Sequence, residues 1–147
     1  MSELEKNLYK RVTVPAVPKT ESASRAYRGF STVYSNTNDW TVYDFELVKQ
    51  DLINHFHIRQ GEKLSDPEFG CIIWDLLYEP FTQDVQTAII ENVTQIVNYD
   101  PRVNVNNVIV DQYESGIQVE CNLVYLPYNI SETLRMRFDE NAGFLNT

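Results

Sequence analysis

Val103-Asn-Val-Asn-Asn-Val-Ile-Val-Asp-Gln-Tyr113, then Glu114-Ser-Gly116, then Ile117-Gln-Val-Glu-Cys-Asn-Leu-Val-Tyr-Leu126: this stretch decides the fold. The first run is rich in β-branched residues, which suit a pleated, half-buried surface. Glu114-Ser115-Gly116 is a turn signal. In the second run Ile117, Val119, Cys121, Leu123 and Tyr125 share one face at a period of two, so the two runs form a hairpin with a short loop. Pro127 ends its second strand. Beyond it Ile130, Leu134, Met136 and Phe138 share a parity, which predicts a third strand over 130–138.

Upstream, the period changes to that of helices. Phe45, Val48, Leu52 and Phe56 recur at spacings of three and four, predicting a helix over 44–59 with Asp44 as N-cap and Gly61 just past its end. Residues 62–70, with Pro67 and Gly70, read as a turn pinned to the core by Phe69. Residues 72–78 read as a short helical or irregular apolar piece ending near Pro80, with Trp74 and Tyr78 in the core. A second long helix fits 82–98. Thr82 caps it, Val85, Ala88, Ile89, Val93, Ile96 and Val97 face inward, and Pro101 stops it. The expected fold is therefore α+β: two main helices on one face of a small, mainly antiparallel sheet. His55 and His57, two residues apart on a helix, do not converge on a metal. His55 is better read as a partly buried packing or hydrogen-bonding residue.

Residues 1–40 read differently, as an extended arm ahead of a domain over 41–147. Val14-Pro15-Ala16-Val17-Pro18 forbids a helix. Ser, Thr and Asn crowd residues 20–39, yet Tyr27, Phe30, Val33, Tyr34 and Trp40 stand among them as anchors for a partner or for the arm's own domain. The formal net charge of −9 is uneven. Six of the 12 basic residues lie in residues 1–28, and the rest of the chain carries 18 of the 21 acids. Such a body repels a phosphate backbone, so nucleic acid is not an expected partner of the domain. The arm, lacking a dense basic run, better suits an acidic protein surface. No apolar run approaches the ~20 residues that cross a bilayer. The first 19 residues, broken by charges and two prolines, lack a signal-like segment, so no membrane contact and assembly in a cytoplasm are expected. Cys71 and Cys121 lack metal or redox spacing and read as reduced, buried side chains. No Gly-rich phosphate loop, zinc-ligand spacing or activated nucleophile is visible, so no cofactor, metal or catalytic residue is assigned.

Four elements then recur in order: Gly61-Glu62, Pro67-Glu68-Phe69-Gly70, the acidic-aromatic stretch Asp75 to Phe81, and the corner Tyr99-Asp100-Pro101-Arg102. Together they resemble the baseplate wedge proteins of contractile phage tails, the gene-twenty-five-like family, which has a counterpart in type VI secretion baseplates. The resemblance covers roughly residues 44–138, with Asp100 where the family has Glu. It implies a structural subunit of the virion's tail baseplate. The corner would join larger wedge proteins in a helical core bundle, and the β region would accept strands from the first tail sheath subunits. Tube-proximal baseplate proteins would be further neighbours. An open sheet edge offers unpaired N–H and C=O groups that an added strand satisfies. The strands at 117–126 and 130–138 are the expected edge.

The resemblance makes Glu68, Tyr99, Asp100, Pro101 and Arg102 the candidate partner-binding residues. Two readings stay open for Arg102: a planar fork for a partner's carboxylate or helix end, or an intramolecular pair with Asp100 or another acid. Glu68 is either a partner contact or a solvated turn carboxylate. Proteins of this family have been labelled lysozyme-like, so a glycoside hydrolase is the alternative function. That chemistry needs two carboxylates ~5–10 Å apart across a sugar cleft, one of them in a pKa-raising pocket. Glu68, Asp75 and Glu79 are the nearest candidates. A free regulatory binding protein is a third reading, since one bacterial anti-adaptor shares the fold.

Overall fold

The structure, a computed structural model, describes residues 25–31 and 41–146. Most of the arm expected over 1–40, including Val33, Tyr34 and Trp40, lies outside the described residues. In chain order the elements are β1 (Arg28–Phe30), β2 (Thr41–Tyr43), α1 (Asp44–His57), α2 (Ile73–Leu76), α3 (Gln83–Asn98), β3 (Val103–Tyr113), β4 (Gly116–Tyr125), β5 (Ile130–Asp139) and β6 (Gly143–Asn146). Strands β3 to β6 form one antiparallel meander, and β1 pairs with β2 as a separate antiparallel ribbon.

The architecture is α+β, as the two periods predict. The inward faces of α1 and α3 meet the inner face of the sheet: Phe56, Ile89, Val93 and Val97 pack in one cluster with Val119, Cys121, Leu123 and Phe138. Phe56 and Phe138 meet edge to face at 6.4 Å, and Phe45 tilts against Tyr125 at 5.7 Å. Fully burying side chains of this size contributes about 1.5–3 kcal/mol each. Both cysteines are free and buried, and burial pushes each thiol up to about 12, so neither is a reactive thiolate at neutral pH.

Several local expectations are corrected. Asp44 is not the N-cap of α1. Tyr43 holds that position without a side-chain cap, and Asp44 is the first helical residue with a left-handed φ of 47°. Helix α1 stops at His57 rather than 59, because Ile58 turns extended and Arg59 forms a parallel bridge with Cys71. The Cys71 N–H donates to the Ile58 carbonyl at 2.8 Å. This tertiary pairing overrides the helix. Tyr78 is 72% exposed, whereas Trp74 packs on the core, its Nε1–H donating to the Phe56 carbonyl at 2.9 Å. Ile130 is exposed despite sharing the core parity of β5.

Strand β6 carries no pattern legible in the sequence, yet it adds to β5 at Met136–Asp139. Its presence also changes the expectation for the sheet edge. Strand β4 lies between β3 and β5 along its length, so it has no free edge.

Candidate partner-binding groove

Helix α3 sets the corner. Thr82 caps its start, accepting from the Val85 N–H at 3.4 Å, and the helix ends at Asn98 with Tyr99 as C-cap. The Asp100 N–H still donates to the Val97 carbonyl at 3.2 Å, but Pro101 has no N–H to continue the ladder. The chain turns, and the Arg102 carbonyl accepts from the Leu126 N–H at 3.0 Å, fixing the corner to the end of β4.

Within the corner, Asp100 is clasped by Arg102. The carboxylate accepts from the Arg102 backbone N–H at 2.9 Å and from its guanidinium Nε at 2.9 Å and Nη2 at 2.5 Å. Nη2 also reaches Asp51 on α1 at 2.7 Å, and the guanidinium lies 5.3 Å above the Tyr27 ring. The Arg102 side chain is only 21% exposed. Of the two readings left open for it, the described geometry is an intramolecular pair that staples the end of α3 to α1. Burial alone would raise the Asp100 pKa. The hydrogen bonds from Arg102 outweigh it and hold the carboxyl below its ordinary value. Arg102 is raised in turn, first by Asp100 and then by Asp51.

Tyr27 is placed by Asp44. The Asp44 Oδ1 accepts the Ala26 and Tyr27 N–H groups at 2.8 and 2.9 Å, and the Asp44 N–H donates back to the Tyr27 carbonyl at 3.1 Å. Arg25 covers the Tyr43 ring at 3.8 Å. Two sequence-distant segments are thereby joined beside the corner.

The turn at 61–70 forms the opposite wall. Asn92, buried on α3, accepts from the Ile72 N–H at 3.2 Å and donates to the Gly70 carbonyl at 3.4 Å. Gly70 has φ +123°, and a Cβ there would meet the Arg59 carbonyl carbon and oxygen at 2.7 Å, so only glycine fits. Phe69 then lies flat on His55 at 3.8 Å, with Tyr99 edge-on to both rings at 5.5 and 5.7 Å. Phe69 was expected in the core; it instead forms this aromatic triad at the surface, half-buried and outside the main cluster. Burial, and secondarily the charge of Lys63, lowers the His55 pKa, which favours the neutral ring in the stack.

These parts enclose a groove of about 590 Å³. Its floor is Leu52, Ile58 and Ile96, its aromatic wall is Phe69 and Tyr99, and its charged rim is Asp51, Asp100 and Arg102. A smaller depression of about 180 Å³ shares His55, Phe69, Ile96 and Tyr99, and Glu68 lines it. The structure thus gathers all five candidates: Tyr99, Asp100, Pro101 and Arg102 around the groove and Glu68 beside it. Sequence reasoning named Tyr27 as an anchor without its place at the groove, and it missed Asp51 and the placing role of Asn92. Only long-range contacts reveal them, although a polar residue at the centre of an inward helical face is a signal for Asn92.

The hydrolase candidates do not share this organisation. Asp75 pairs with Arg59 at 2.9 Å, and Glu68 and Glu79 are exposed rather than set in an apolar pocket. Among the described residues no group of three or more His, Cys, Asp or Glu side chains is placed to hold a metal ion. No helix among them is long and apolar enough to cross a membrane.

Comparison with known proteins agrees with this outline. Over 90 residues the chain is 29% identical to the baseplate wedge protein gp25 of Enterobacteria phage T4, spanning 58% of this chain and 68% of that protein. Its fold is similar to the crystal structure of a tail lysozyme, so described, from Geobacter sulfurreducens (TM-score 0.56, 19% identity, 66% of this chain and 93% of that one). It is also similar to a chain of the anti-feeding prophage baseplate solved by cryo-EM (TM-score 0.52, 22% identity, 67% and 79%). Residues 44–137, from the first turn of α1 almost to the end of β5, match the family described as baseplate wedge protein gp25, and the chain belongs to that family.

Proposed function

We propose that this structural baseplate component acts as a two-sided adaptor. On one side the Tyr99–Arg102 groove receives a helical segment of the larger wedge proteins. On the other the sheet accepts an extended segment of a tail sheath subunit. The arm, residues 1–40, reaches further neighbours, including tube-proximal baseplate proteins, and residues 41–147 form the wedge domain. Assembly takes place in the host cytoplasm, and the chain catalyses no reaction.

The observation that carries this reading is the convergence at the groove. Five candidate residues from two segments some thirty positions apart line two adjoining depressions with a shared aromatic wall. An apolar floor with a charged rim is what an amphipathic helix requires of its receptor. Tyr99 is 65% exposed at the mouth, while Arg102 is turned inward. In this reading Tyr99 and Pro101 meet the partner, and Asp100 and Arg102 hold the wall that presents them.

The test is Tyr99→Ala. Because the ring is mostly exposed, the expected loss of stability is under about 1 kcal/mol, and circular dichroism stays unchanged. Capture of the larger wedge proteins from the same tail falls at least about tenfold, the effect of losing one aromatic anchor. Unaltered capture by the folded variant refutes the groove as the docking site.

A further inference from the structure

We infer that residues 2–12 of this chain form an amphipathic helix that seats in the chain's own Tyr99–Arg102 groove until a wedge helix displaces it, so that docking of the wedge protein releases the arm. The inference rests on the groove half of the proposed function.

Residues 1–24 lie outside the described residues, and their pattern is read from the sequence. Ser2-Glu3-Leu4-Glu5 matches a capping box, in which the Ser hydroxyl accepts from the Glu5 N–H and the Glu5 carboxylate accepts from the Ser2 N–H. Glu3 and Glu5 fall in the first turn and Lys10 and Arg11 in the last, where each favours the helix dipole. At the helical period Leu4, Leu8 and Val12 share one stripe. Arg11 borders that stripe, and Lys6 and Lys10 lie on the far side. Val14-Pro15 ends the pattern, and the extended part of the arm begins there. A helix this short is marginal in water by itself, so its stripe needs a receptor.

The receptor stands where the described chain begins. Arg25 covers the Tyr43 ring, and two residues later Tyr27 lines the groove with its ring 5.3 Å from the Arg102 guanidinium. Asp44 holds the Ala26 and Tyr27 N–H groups, which fixes the direction in which the arm leaves. Strand β1 is pressed onto α1 from the other side. A Cβ on Gly29 would collide with the Leu47 side chain, and buried Ser31 donates to the Gln50 Oε1 at 3.3 Å. The root of the arm is therefore docked on α1, the helix that gives the groove Asp51, Leu52 and His55. Residues 13–24 span up to ~40 Å when extended, ample to bring residues 2–12 back over Tyr27. A tether this short holds the segment at an effective concentration on the order of 1 mM.

The two surfaces match in chemistry. The floor of Leu52, Ile58 and Ile96, walled by Phe69 and Tyr99, suits the stripe of Leu4, Leu8 and Val12. Across the groove and the adjoining depression the lining carries four carboxylates, Asp51, Asp66, Glu68 and Asp100, and one guanidinium, Arg102. Arg11 brings a second cation to this acidic rim, at the border of the stripe.

The test follows the methyl NMR signals of Leu52, Ile58 and Ile96 in the full chain, its Leu4→Glu/Leu8→Glu variant and a Lys6→Gln control. The double variant is expected to move these signals and the control to leave them in place, while the methyls of Val119 and Leu123 in the core stay fixed in all three. A fluorescently labelled peptide of residues 1–13 is expected to bind the double variant at least about tenfold more tightly than the full chain, whose groove is already occupied. Capture of the larger wedge proteins by the double variant is expected to be at least about threefold faster. Unmoved floor methyls, or equal peptide binding by the two chains, overturn the seating. Shifts that depend on protein concentration assign the seat to a second copy and overturn it likewise. Moved methyls with unchanged capture overturn the displacement by wedge proteins, and leave the groove's role in docking to Tyr99→Ala. Absence of capture by every chain overturns the proposed docking and the displacement with it, while the methyl signals still decide the seating.

Discussion

Replacing Arg102 with alanine removes three interactions at once, and the structure sets their sizes. The guanidinium donates to half-buried Asp100 through Nε and Nη2, and hydrogen bonds to a charged group are worth about 1.5–3 kcal/mol. The Arg102 backbone N–H still serves Asp100 in the variant, which keeps the loss near the middle of that range. The Asp51 carboxylate is 46% exposed, so its pair contributes no more than about 0.5 kcal/mol after solvent screening. The contact with the Tyr27 ring, at 5.3 Å, adds about 0.5 kcal/mol. The expected destabilisation is about 2–3 kcal/mol at neutral pH, measured by urea unfolding. The sign with pH follows from Asp100. Its pKa in the fold lies below the ordinary value of 3.8, so the stabilisation is fully present above 3.8 and fades as pH falls through the folded value. The gap between wild type and variant therefore narrows on acidification. A difference under about 0.5 kcal/mol at pH 7, or one that does not change between pH 7 and pH 3, refutes the reading of Arg102 as a structural staple. At a temperature where the variant is folded, wedge capture is expected to weaken as well, because the groove loses its rim.

Two further outcomes concern the groove's walls. Gly70→Ala is expected to destabilise by about 2–4 kcal/mol, since the new Cβ adds left-handed strain to a backbone collision; Gly61→Ala, at φ +89° with open space around it, is expected to cost about 1 kcal/mol by the same thermal-unfolding assay. His55 has a folded pKa below its ordinary 6.5, so on acidification the unfolded chain takes up the proton first and stability declines as pH falls through 6.5 toward the folded value. His55→Gln is expected to flatten that part of the pH profile; an unchanged profile assigns the titration elsewhere.

Much of this molecule was readable from residue order alone. Alternation over Ile117–Tyr125 produced a half-buried central strand with its odd-numbered residues in the core, because a strand's side-chain period admits no other facing once one side is apolar. The spacing in Gln83–Asn98, bounded by Thr82 and Pro101, produced α3 nearly to the residue, because caps and proline act locally. The recurrence of Pro67-Glu68-Phe69-Gly70 and Tyr99-Asp100-Pro101-Arg102 carried the family. Asp44 had a local signal that misled: a good capping residue is also a good acceptor for any nearby amide, and the amides of Ala26 and Tyr27 took it.

What the residue order left open was decided by partners far along the chain. Arg102 faced equal local options, and Asp51 on another helix, 51 positions away, helped turn it inward. Phe69 was apolar enough for the core, but it stacked on His55 because Gly70 and Asn92 fix its loop there. Strand β6 has too few residues to carry a period of its own; it exists because β5 offers it hydrogen-bonding groups. Periodicity and capping act within one turn or one pleat, and so are written in the sequence. Grooves, staples and edges are set by distances between segments, which only the closed fold supplies.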